Sequence, residues 1–165
     1  MSLQFIVEPL KKQHERENFD CGEESLNEFL KKYARQNSDK GFGRTFVAVL
    51  PNQTEVLGFY TLSSGSVSFE IVPENLPRYP IPTVHLGRLA AALKMRGQGL
   101  GELLLIDALG RTVLVAAELG IYAVELYALT ENAKKFYLKY GFVSLRDDEK
   151  HLYLPIETLK KSGLI

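Results

Sequence analysis

The order of apolar and polar residues along the chain predicts both strands and helices. Residues 5–10 alternate weakly and residues 44–50 are rich in Val, Phe and Thr; both patterns are typical of strands. Between them, Leu26, Phe29, Leu30 and Tyr33 recur at helical spacing and predict one amphipathic helix. The chain is therefore expected to begin with a strand, a helix and a second strand.

The rest of the chain continues this mixture. Residues 51–54 form a turn by composition, and residues 55–63 form the returning strand, followed by a break or bulge at Ser64-Gly65-Ser66 and an extended segment from Val67 to Val72. The later predicted elements are the strand Thr83–Leu93, the helix Glu102–Leu119 with Gly120 as its C-cap, the strand Ile121–Ala128, the helix Glu131–Tyr140 ended by Gly141, and the strand pair Phe142–Leu145 and His151–Leu154. This order predicts an α/β (α+β) fold with a mixed sheet, in one domain over residues 1–165.

Composition narrows the class of protein. The 165 residues are 45% hydrophobic and carry a net charge of +0, which argues against a polybasic nucleic-acid-binding protein but leaves a local basic face open. No apolar run reaches the length of a membrane span and the charged N-terminal region is not a signal peptide, so we expect a cytoplasmic protein without membrane contact. Cys21 is the single cysteine and allows no internal disulfide, and His14, His85 and His151 are spaced too widely for a metal-binding motif.

A glycine-rich loop, Arg96-Gly97-Gln98-Gly99-Leu100-Gly101, joins the apolar strand to the long apolar helix. Glycines let the backbone approach a ligand closely, and the first amides of a helix have no intrahelical partner, so a phosphate or pyrophosphate is the expected occupant. The spacing is neither the Gly-x-Gly-x-x-Gly of dinucleotide-binding folds nor a Walker loop. From the loop alone, a phosphate site and a turn without a ligand are equally supported.

Arg88 is the one charged residue in the predicted buried strand around Leu86–Leu93. A buried arginine needs a carboxylate or carbonyl partner, so it either supports the fold or faces a substrate cleft. The proline-rich segment Pro73–Pro82, which carries Arg78, is either a connector or one wall of the acceptor site. Arg88 and Arg78 are therefore the candidate substrate-binding residues.

Two motifs together resemble the GNAT N-acetyltransferase family. The first is the spacing Arg-x-x-Gly-x-Gly in the loop, and the second is the run from Asn132 to Phe142, similar to the family's Ala-x-x-Phe-Tyr-x-x-x-Gly-Phe helix and strand start. The resemblance implies a GNAT fold with a mixed, mostly antiparallel central sheet, flanking helices and splayed central strands. It also implies acetyl-CoA as cosubstrate, no metal, and transfer of acetyl to a primary amine.

The resemblance also implies roles for individual residues. Tyr137 matches the tyrosine that protonates the departing thiolate, for which a neutral phenol is suited; the structural alternative is a core aromatic in a helix stripe. Lys134 and Lys135 either neutralise phosphates or belong to a solvated helix face. The residues implied in acetyl-CoA binding are Leu89, Ala90, Ala91 and Leu93 along the pantetheine, Arg96, Gly97, Gln98, Gly99, Leu100, Gly101 and Glu102 around the pyrophosphate, and Asn132 and Lys135 on the later helix.

The protonation state of the acceptor amine constrains its identity. A lysine amine has a pKa of about 10.4 and usually needs a general base, for which Glu55, Glu70 and Glu125 are candidates. An α-amino group titrates at about 8 and needs less help. Since the sequence does not single out one of these as the base, it favours an α-amine over a lysine amine as the acceptor.

A closer resemblance spans nearly the whole chain. Segments such as Phe19-Asp20-Cys21-Gly22, Gly58-Phe59-Tyr60-Thr61-Leu62 and Leu152-Tyr153-Leu154-Pro155 are similar to the TacT/AtaT-like GNAT toxins of type II toxin–antitoxin modules. Those toxins acetylate the α-amino group of aminoacyl-tRNA, are neutralised by a ribbon-helix-helix-type antitoxin and often form homodimers, so the same substrate and partners are implied here. Their usual Arg-Leu-Ala-Val-Asp run reads Arg88-Leu89-Ala90-Ala91-Ala92 in this chain, without the acidic residue.

Two alternatives stay open beside the toxin. One is a GNAT enzyme that acts on a small-molecule amine, a protein N-terminus or a lysine, which predicts a narrow cleft with an acidic wall. The other is a non-catalytic module that binds CoA. The toxin hypothesis instead predicts a basic rim made by Lys31, Lys32, Arg35, Lys40, Arg44, Arg78 and Arg88.

Overall fold

The computed structural model describes residues 3–165, which form seven strands and five α-helices. The strands are β1 Ile6–Pro9, β2 Arg44–Val49, β3 Gly58–Val67, β4 Ile81–Ala91, β5 Ala123–Tyr127, β6 Val143–Ser144 and β7 His151–Pro155. The helices are α1 Glu24–Glu28, α2 Ala34–Asp39, α3 Leu100–Ala116, α4 Glu131–Lys139 and α5 Ile156–Lys161. Across residues 3–165, no helix combines the length and apolarity needed to cross a membrane.

One sheet contains all of these strands, in the order β1-β2-β3-β4-β5-β7-β6. The pairs β1–β2, β2–β3, β5–β7 and β6–β7 are antiparallel, and β4 and β5 are parallel over Thr83–His85 and Ala123–Glu125. The predicted mixed and mostly antiparallel α/β fold is therefore confirmed.

By its internal contacts the chain divides into two compact units. The first contains the chain up to Ser63 together with Arg88–Ala108, and the second contains Ser64–Gly87 and Leu109–Ile165. Strands β3 and β4 each contribute residues to both units.

Three phenylalanines lie at the centre of the first unit. The rings of Phe19 and Phe59 pack edge to face with their centroids 5.6 Å apart, and Phe29 stacks on Phe59 at 6.3 Å. Leu30 and Val47 are also removed from water in this cluster. Burial of each such side chain stabilises the fold by roughly 1.5–3 kcal/mol, so this aromatic centre anchors the first helical segment on the sheet.

A π-helical turn, Phe29–Tyr33, separates α1 from α2. The longer hydrogen-bond spacing of a π turn changes which carbonyl groups find amide partners. Nη1 of Arg16 donates to the carbonyl oxygen of Leu30 at 3.1 Å and satisfies it from outside the helix. The apolar spacing predicted a helix here correctly, but side-chain periodicity does not reveal the π turn.

The second unit has its own apolar cluster, which contains Val67, Ile81, Ala123 and Tyr153. Helix α5 follows directly on β7 and buries Ile156 and Leu159. The sequence pattern assigned no element to this C-terminal segment, because its apolar spacing extends over only a turn and a half.

Two predictions around β3 were wrong. The strand continues without a break through Gly65 to Val67. A Cβ at Gly65 would lie 2.9 Å from Oγ1 of Thr83. This glycine therefore permits close packing and does not mark a bulge. The segment after it is not extended: Phe69–Ile71 form a 3₁₀ turn, capped by Oγ of Ser68, which accepts the amide of Glu70 at 3.2 Å.

Three boundaries around α3 were also wrong. Strand β4 ends at Ala91, and Leu93 belongs to a 3₁₀ turn, Leu93–Met95, that leads into the glycine loop. Helix α3 begins at Leu100 and ends at Ala116, and Gly120 does not have the positive φ of a glycine C-cap. Gly141 does, with φ of 98°, and ends α4 as predicted.

Candidate active site

The glycine loop ends at the first residue of α3, Leu100. Gly97 and Gly99 have φ of 81° and 73°, a conformation that residues with a Cβ adopt only with strain. Residues 96–99 are exposed, and the amide of Leu103 donates to the carbonyl oxygen of Gly99 at 3.1 Å. The first turn of an α-helix leaves backbone amides without intrahelical partners, so the start of α3 has the backbone arrangement that binds anions.

Close packing between β3, β4 and α3 fixes the position of the loop. A Cβ at Gly58 would lie 2.8 Å from Cδ1 of Leu104 and 3.1 Å from the carbonyl oxygen of Ala90. Next to it, the amide of Ala92 donates to the carbonyl oxygen of Leu57 at 2.8 Å. The first turn of α3 and the end of β4 are thus held against the same point of β3.

A hydrogen-bonded turn before α1 supports the loop from its other end. The carboxylate of Asp20 accepts the amide of Gly22 at 2.9 Å and the side-chain amide of Asn27 at 3.1 Å. These two hydrogen bonds hold the pKa of Asp20 below its ordinary value. Asn27 also accepts the amide of Cys21, and the carbonyl oxygen of Asp20 accepts the amide of Leu93 at 2.9 Å. The turn that leads into the glycine loop is therefore fastened to a satisfied polar network.

Arg88 is half-buried on β4, with its guanidinium carbon 3.6 Å from the ring centroid of Phe29. Burial lowers the pKa of Arg88 from its ordinary value, although a guanidinium stays charged. The sequence led us to expect a carboxylate or carbonyl partner, and the structure provides the face of an aromatic ring instead. A stacked guanidinium keeps its N–H edges for other acceptors, so it can still bind an anionic substrate.

Tyr137 lies on α4, a helix with well-defined ends. Oγ1 of Thr130 accepts the amide of Ala133 at 3.1 Å and caps its first turn. Tyr137 is 7% exposed, and its ring packs edge to face on Phe142 with centroids 5.5 Å apart. Burial raises the pKa of Tyr137 well above its ordinary value, so the phenol is neutral and holds a proton that it can donate.

The other candidate site residues are divided between the two units. Those of the first unit lie on one continuous stretch of chain, and those of the second lie on α4 and in the proline-rich segment. The first unit holds Arg88, Leu89–Ala91, Leu93 and residues 96–102, and the second holds Tyr137, Asn132 and Lys135, the last two exposed, with Arg78 also exposed.

The three candidate bases lie in different environments. Glu55 is partly exposed and forms an ion pair with Lys94. Glu70 is exposed in the 3₁₀ turn. Glu125 is 5% exposed and lies among histidines.

Glu125 joins two histidines that are far apart in the sequence. Its Oε1 lies 2.6 Å from Nδ1 of His85 and its Oε2 lies 2.6 Å from Nε2 of His151. Nδ1 of His151 in turn lies 2.9 Å from Asp147, and its ring stacks on Tyr127 at 3.9 Å. Burial raises the pKa of Glu125, but hydrogen bonds and charge from the two histidines outweigh burial and hold the pKa below its ordinary value.

Spacing along the chain did not reveal this cluster. The signal lay in strand register: His85 pairs with Glu125 between β4 and β5, and His151 pairs with Tyr127 between β7 and β5. Such pairs are visible only once the strand order is known. In the part of the chain that the structure describes, no group of three or more His, Cys, Asp or Glu side chains is arranged to hold a metal ion.

A protein-family model described as an acetyltransferase (GNAT) domain matches residues 17–153. The chain belongs to the GNAT acetyltransferase family. A tRNA-acetylating toxin of Mycobacterium tuberculosis is 40% identical to this N-acetyltransferase over 141 residues, which cover 83% of each chain. The probable toxin TacT of Sinorhizobium fredii is 32% identical over 94% of this chain and 93% of its own.

Solved structures of similar sequence confirm the GNAT fold. A tyrosine-to-phenylalanine mutant of KacT superposes with a TM-score of 0.91 at 31% identity, over 96% of this chain and 98% of its own. AtaT complexed with acetyl-methionyl-tRNAfMet gives 0.88 at 30% identity with the same coverage. AtaTR bound with AcCoA gives 0.84 at 30% identity over 95% and 96%, and an AtaT mutant bound to the C-terminus of the antitoxin AtaR gives 0.85 at 28% over 96% and 98%.

Proposed function

We propose that this GNAT enzyme transfers the acetyl group of acetyl-CoA to the α-amino group of an aminoacyl-tRNA and so blocks translation. The observation that carries the proposal is the 40% identity with a tRNA-acetylating toxin across 83% of both chains. The high structural similarity to AtaT in complex with acetyl-methionyl-tRNAfMet supports the same substrate class. An α-amine also suits this chain because it needs less help with deprotonation than a lysine amine does.

Acetyl-CoA binds along the end of β4 and the start of α3 in this proposal. Residues 96–102 take the pyrophosphate through the backbone at Gly97 and Gly99 and through the first turn of α3, the part of a helix that binds anions. The backbone of Leu89–Ala91 and Leu93 binds the pantetheine, and Asn132 and Lys135 on α4 are further residues proposed to bind the cofactor. The neighbour AtaTR, which binds AcCoA, supports the choice of cosubstrate.

Tyr137 acts as the acid in the proposed reaction. The neutral amine attacks the thioester carbonyl carbon, the C–S bond breaks, and the phenol of Tyr137 gives its proton to the departing thiolate. Its burial and neutral state support this role. Arg88 and Arg78 bind phosphates of the acceptor, for which the free N–H edges of a stacked guanidinium are suited.

The proposal extends to partners and location. A small antitoxin of the ribbon-helix-helix type neutralises the enzyme, as the complex of AtaT with the C-terminus of AtaR supports for a relative. The enzyme works in the cytoplasm, where charged tRNA and acetyl-CoA occur, as a homodimer of chains in which residues 1–165 form one catalytic domain.

Transfer of labelled acetyl from acetyl-CoA to charged total tRNA tests the proposal. We expect label on charged tRNA and none on uncharged tRNA. Tyr137→Phe keeps the ring but removes the proton donor, so it should lower kcat by about 10²-fold. Tyr140→Phe, at the C-cap of the same helix with its ring 5.2 Å from that of Phe136, is the matched control and should keep near-normal activity. Transfer to small amines or peptide N-termini but not to charged tRNA would replace the proposed acceptor.

A further inference from the structure

We propose that His85 is the general base that accepts a proton from the ammonium form of the acceptor, and that Glu125, held in turn by His151 and Asp147, positions it. The proposal deepens the proposed function, on which it rests for the identity of the acceptor. The role of His85 itself requires only that the acceptor be an amine that is protonated in water.

The four side chains form an unbroken hydrogen-bonded line across three secondary-structure elements. The line runs from His85 on β4 to Glu125 on β5 at 2.6 Å, then to His151 on β7 at 2.6 Å, and then to Asp147 at 2.9 Å. Each oxygen of Glu125 bonds a different imidazole, so the carboxylate sets the proton position and the ring orientation of both histidines. The ionised carboxylate of Glu125 accepts a hydrogen bond from Nδ1 of His85, which leaves Nε2 as the nitrogen that takes up a proton.

The exposure of the side chains to solvent differs along the line. The middle members are shielded, with side-chain exposures of 6% for Glu125 and 4% for His151, whereas His85 and Asp147 are 33% and 34% exposed. Within residues 3–165, Nε2 of His85 has no hydrogen-bond partner, so it is the nitrogen open to a substrate. Glu125 cannot itself meet a substrate, because it is buried and both of its oxygens are engaged.

The position of His85 on β4 fits this role. His85 and Glu125 form the last pair in the parallel register of β4 with β5, and β4 then continues through Arg88 to Ala91. Leu89–Ala91, which bind the pantetheine in the proposed function, lie further along the same strand. The proposed base and the backbone proposed for the pantetheine therefore belong to one strand.

Acidic side chains of the turn before β7 lie close to the far end of the line. Burial and then the charges of Asp147, Glu125 and Asp148 raise the pKa of the stacked Tyr127. On the β3 side, Gly65 contributes no charge, and the site of its missing Cβ lies 3.4 Å from Cβ of His85.

The proton balance is complete without a further reactant. The acceptor ammonium gives one proton to Nε2 of His85 and becomes a neutral amine, whose nitrogen forms the C–N bond with the thioester carbon. The C–S bond breaks, and the thiolate receives a proton from Tyr137. The acylated nitrogen still holds one proton more than an amide, and it gives this proton to Tyr137. His85 returns its proton to solvent, so the products are an amide, CoA thiol and one released proton.

A set of variants measured as kcat/KM against pH tests the inference. The set is His85→Gln, Glu125→Gln and the control His14→Gln. His14 is a comparable buried histidine, 4% exposed, that lies 3.2 Å from Glu8 in the first unit. The acceptor is charged tRNA, and folding of each variant is checked by thermal unfolding.

Wild-type kcat/KM should fall as the pH is lowered, because a protonated imidazole accepts no proton. His85→Gln should lose about 10²-fold in kcat/KM at neutral pH, and its deficit should shrink as the pH passes about 8, where an α-amine is already neutral. Glu125→Gln should lose about tenfold in kcat with KM for acetyl-CoA unchanged, as a positioning role requires. Added imidazole should restore part of the activity of His85→Ala, and His14→Gln should keep the wild-type profile.

Two results separate this inference from the proposed function. In the first result, wild type transfers acetyl to charged tRNA, and His85→Gln is folded, has a kcat/KM within threefold of wild type and keeps the same pH profile. This result would overturn the inference alone, and the hydrogen-bonded line would then be structural. If wild type transfers acetyl to an amino-acid amide but not to charged tRNA, and His85→Gln shows the expected deficit there, the acceptor proposal fails and the inference stands.

Discussion

At the scale of single residues, Arg88 shows how a charged side chain is accommodated within a strand. Its guanidinium lies over the ring of Phe29. Phe29 is one of the three phenylalanines packed together in the first unit and is also the first residue of the π turn. Stacking gives the charge a favourable partner while the core stays dry. One side chain can thereby contribute to stability and still offer N–H groups to a phosphate.

A double-mutant cycle on Arg88 and Phe29 measures this stacking. Arg88→Lys removes the planar cation and Phe29→Leu removes the ring face, so each should lower the free energy of unfolding. Because both remove the same interaction, the two changes should couple by about 0.5–2 kcal/mol. Strictly additive effects in chemical denaturation would show that the stacking does not stabilise the fold.

At the scale of elements, the position of α3 depends on a contact that sequence periodicity cannot show. The strand, loop and helix around residues 83–119 were predicted from apolar runs and glycines, and they exist with boundaries shifted by a few residues. Gly58 lets α3 approach β3 closely. This contact could not be predicted, because it depends on which elements become neighbours in the fold. The same holds for the His85–Glu125–His151 cluster, whose members meet through strand order.

Substitution of two glycines separates close packing from helix propensity. Gly58→Ala should destabilise the protein by about 1–3 kcal/mol, because its Cβ would collide with Leu104 and with the backbone at Ala90. Gly110→Ala, in the middle of α3 with nothing within 4 Å of its new Cβ, should stabilise it by about 0.5–1 kcal/mol. Thermal unfolding of both variants provides the measurement. If Gly58→Ala raised the free energy of unfolding and Gly110→Ala lowered it, α3 would pack differently on β3.

At the scale of the whole molecule, motifs predicted more than composition did. The glycine loop and the Tyr137 helix led to the GNAT fold, which both the family match and the solved structures confirm. The near-neutral composition, by contrast, carried little information about a nucleic-acid substrate. Local side-chain placement on a sheet, such as the stacking of Arg88 or the burial of Glu125, depends on tertiary neighbours and could not be predicted.

The pH dependence of stability reports on the buried carboxylate of Glu125. Its pKa in the folded protein is below the ordinary value of 4.5, so its ionised form stabilises the native state above that value. This contribution should be lost as the pH falls from 4.5 through the folded pKa. The difference in unfolding free energy between wild type and Glu125→Gln should therefore be largest above 4.5 and shrink below it.

Urea denaturation of both proteins across this range is the measurement. A difference that stays constant as the pH falls would show that Glu125 is not ionised in the folded state.

The most direct test of the central claim is mass spectrometry of charged tRNA after reaction with the enzyme and acetyl-CoA. Digestion with ribonuclease releases the 3′-terminal adenosine with its amino acid still attached. We predict one added acetyl group on the α-amine of that amino acid, formed about 10²-fold more slowly when the enzyme carries Tyr137→Phe. An acetyl group on a base or ribose, or an unmodified aminoacyl-adenosine despite acetyl-CoA turnover on another amine, would contradict it.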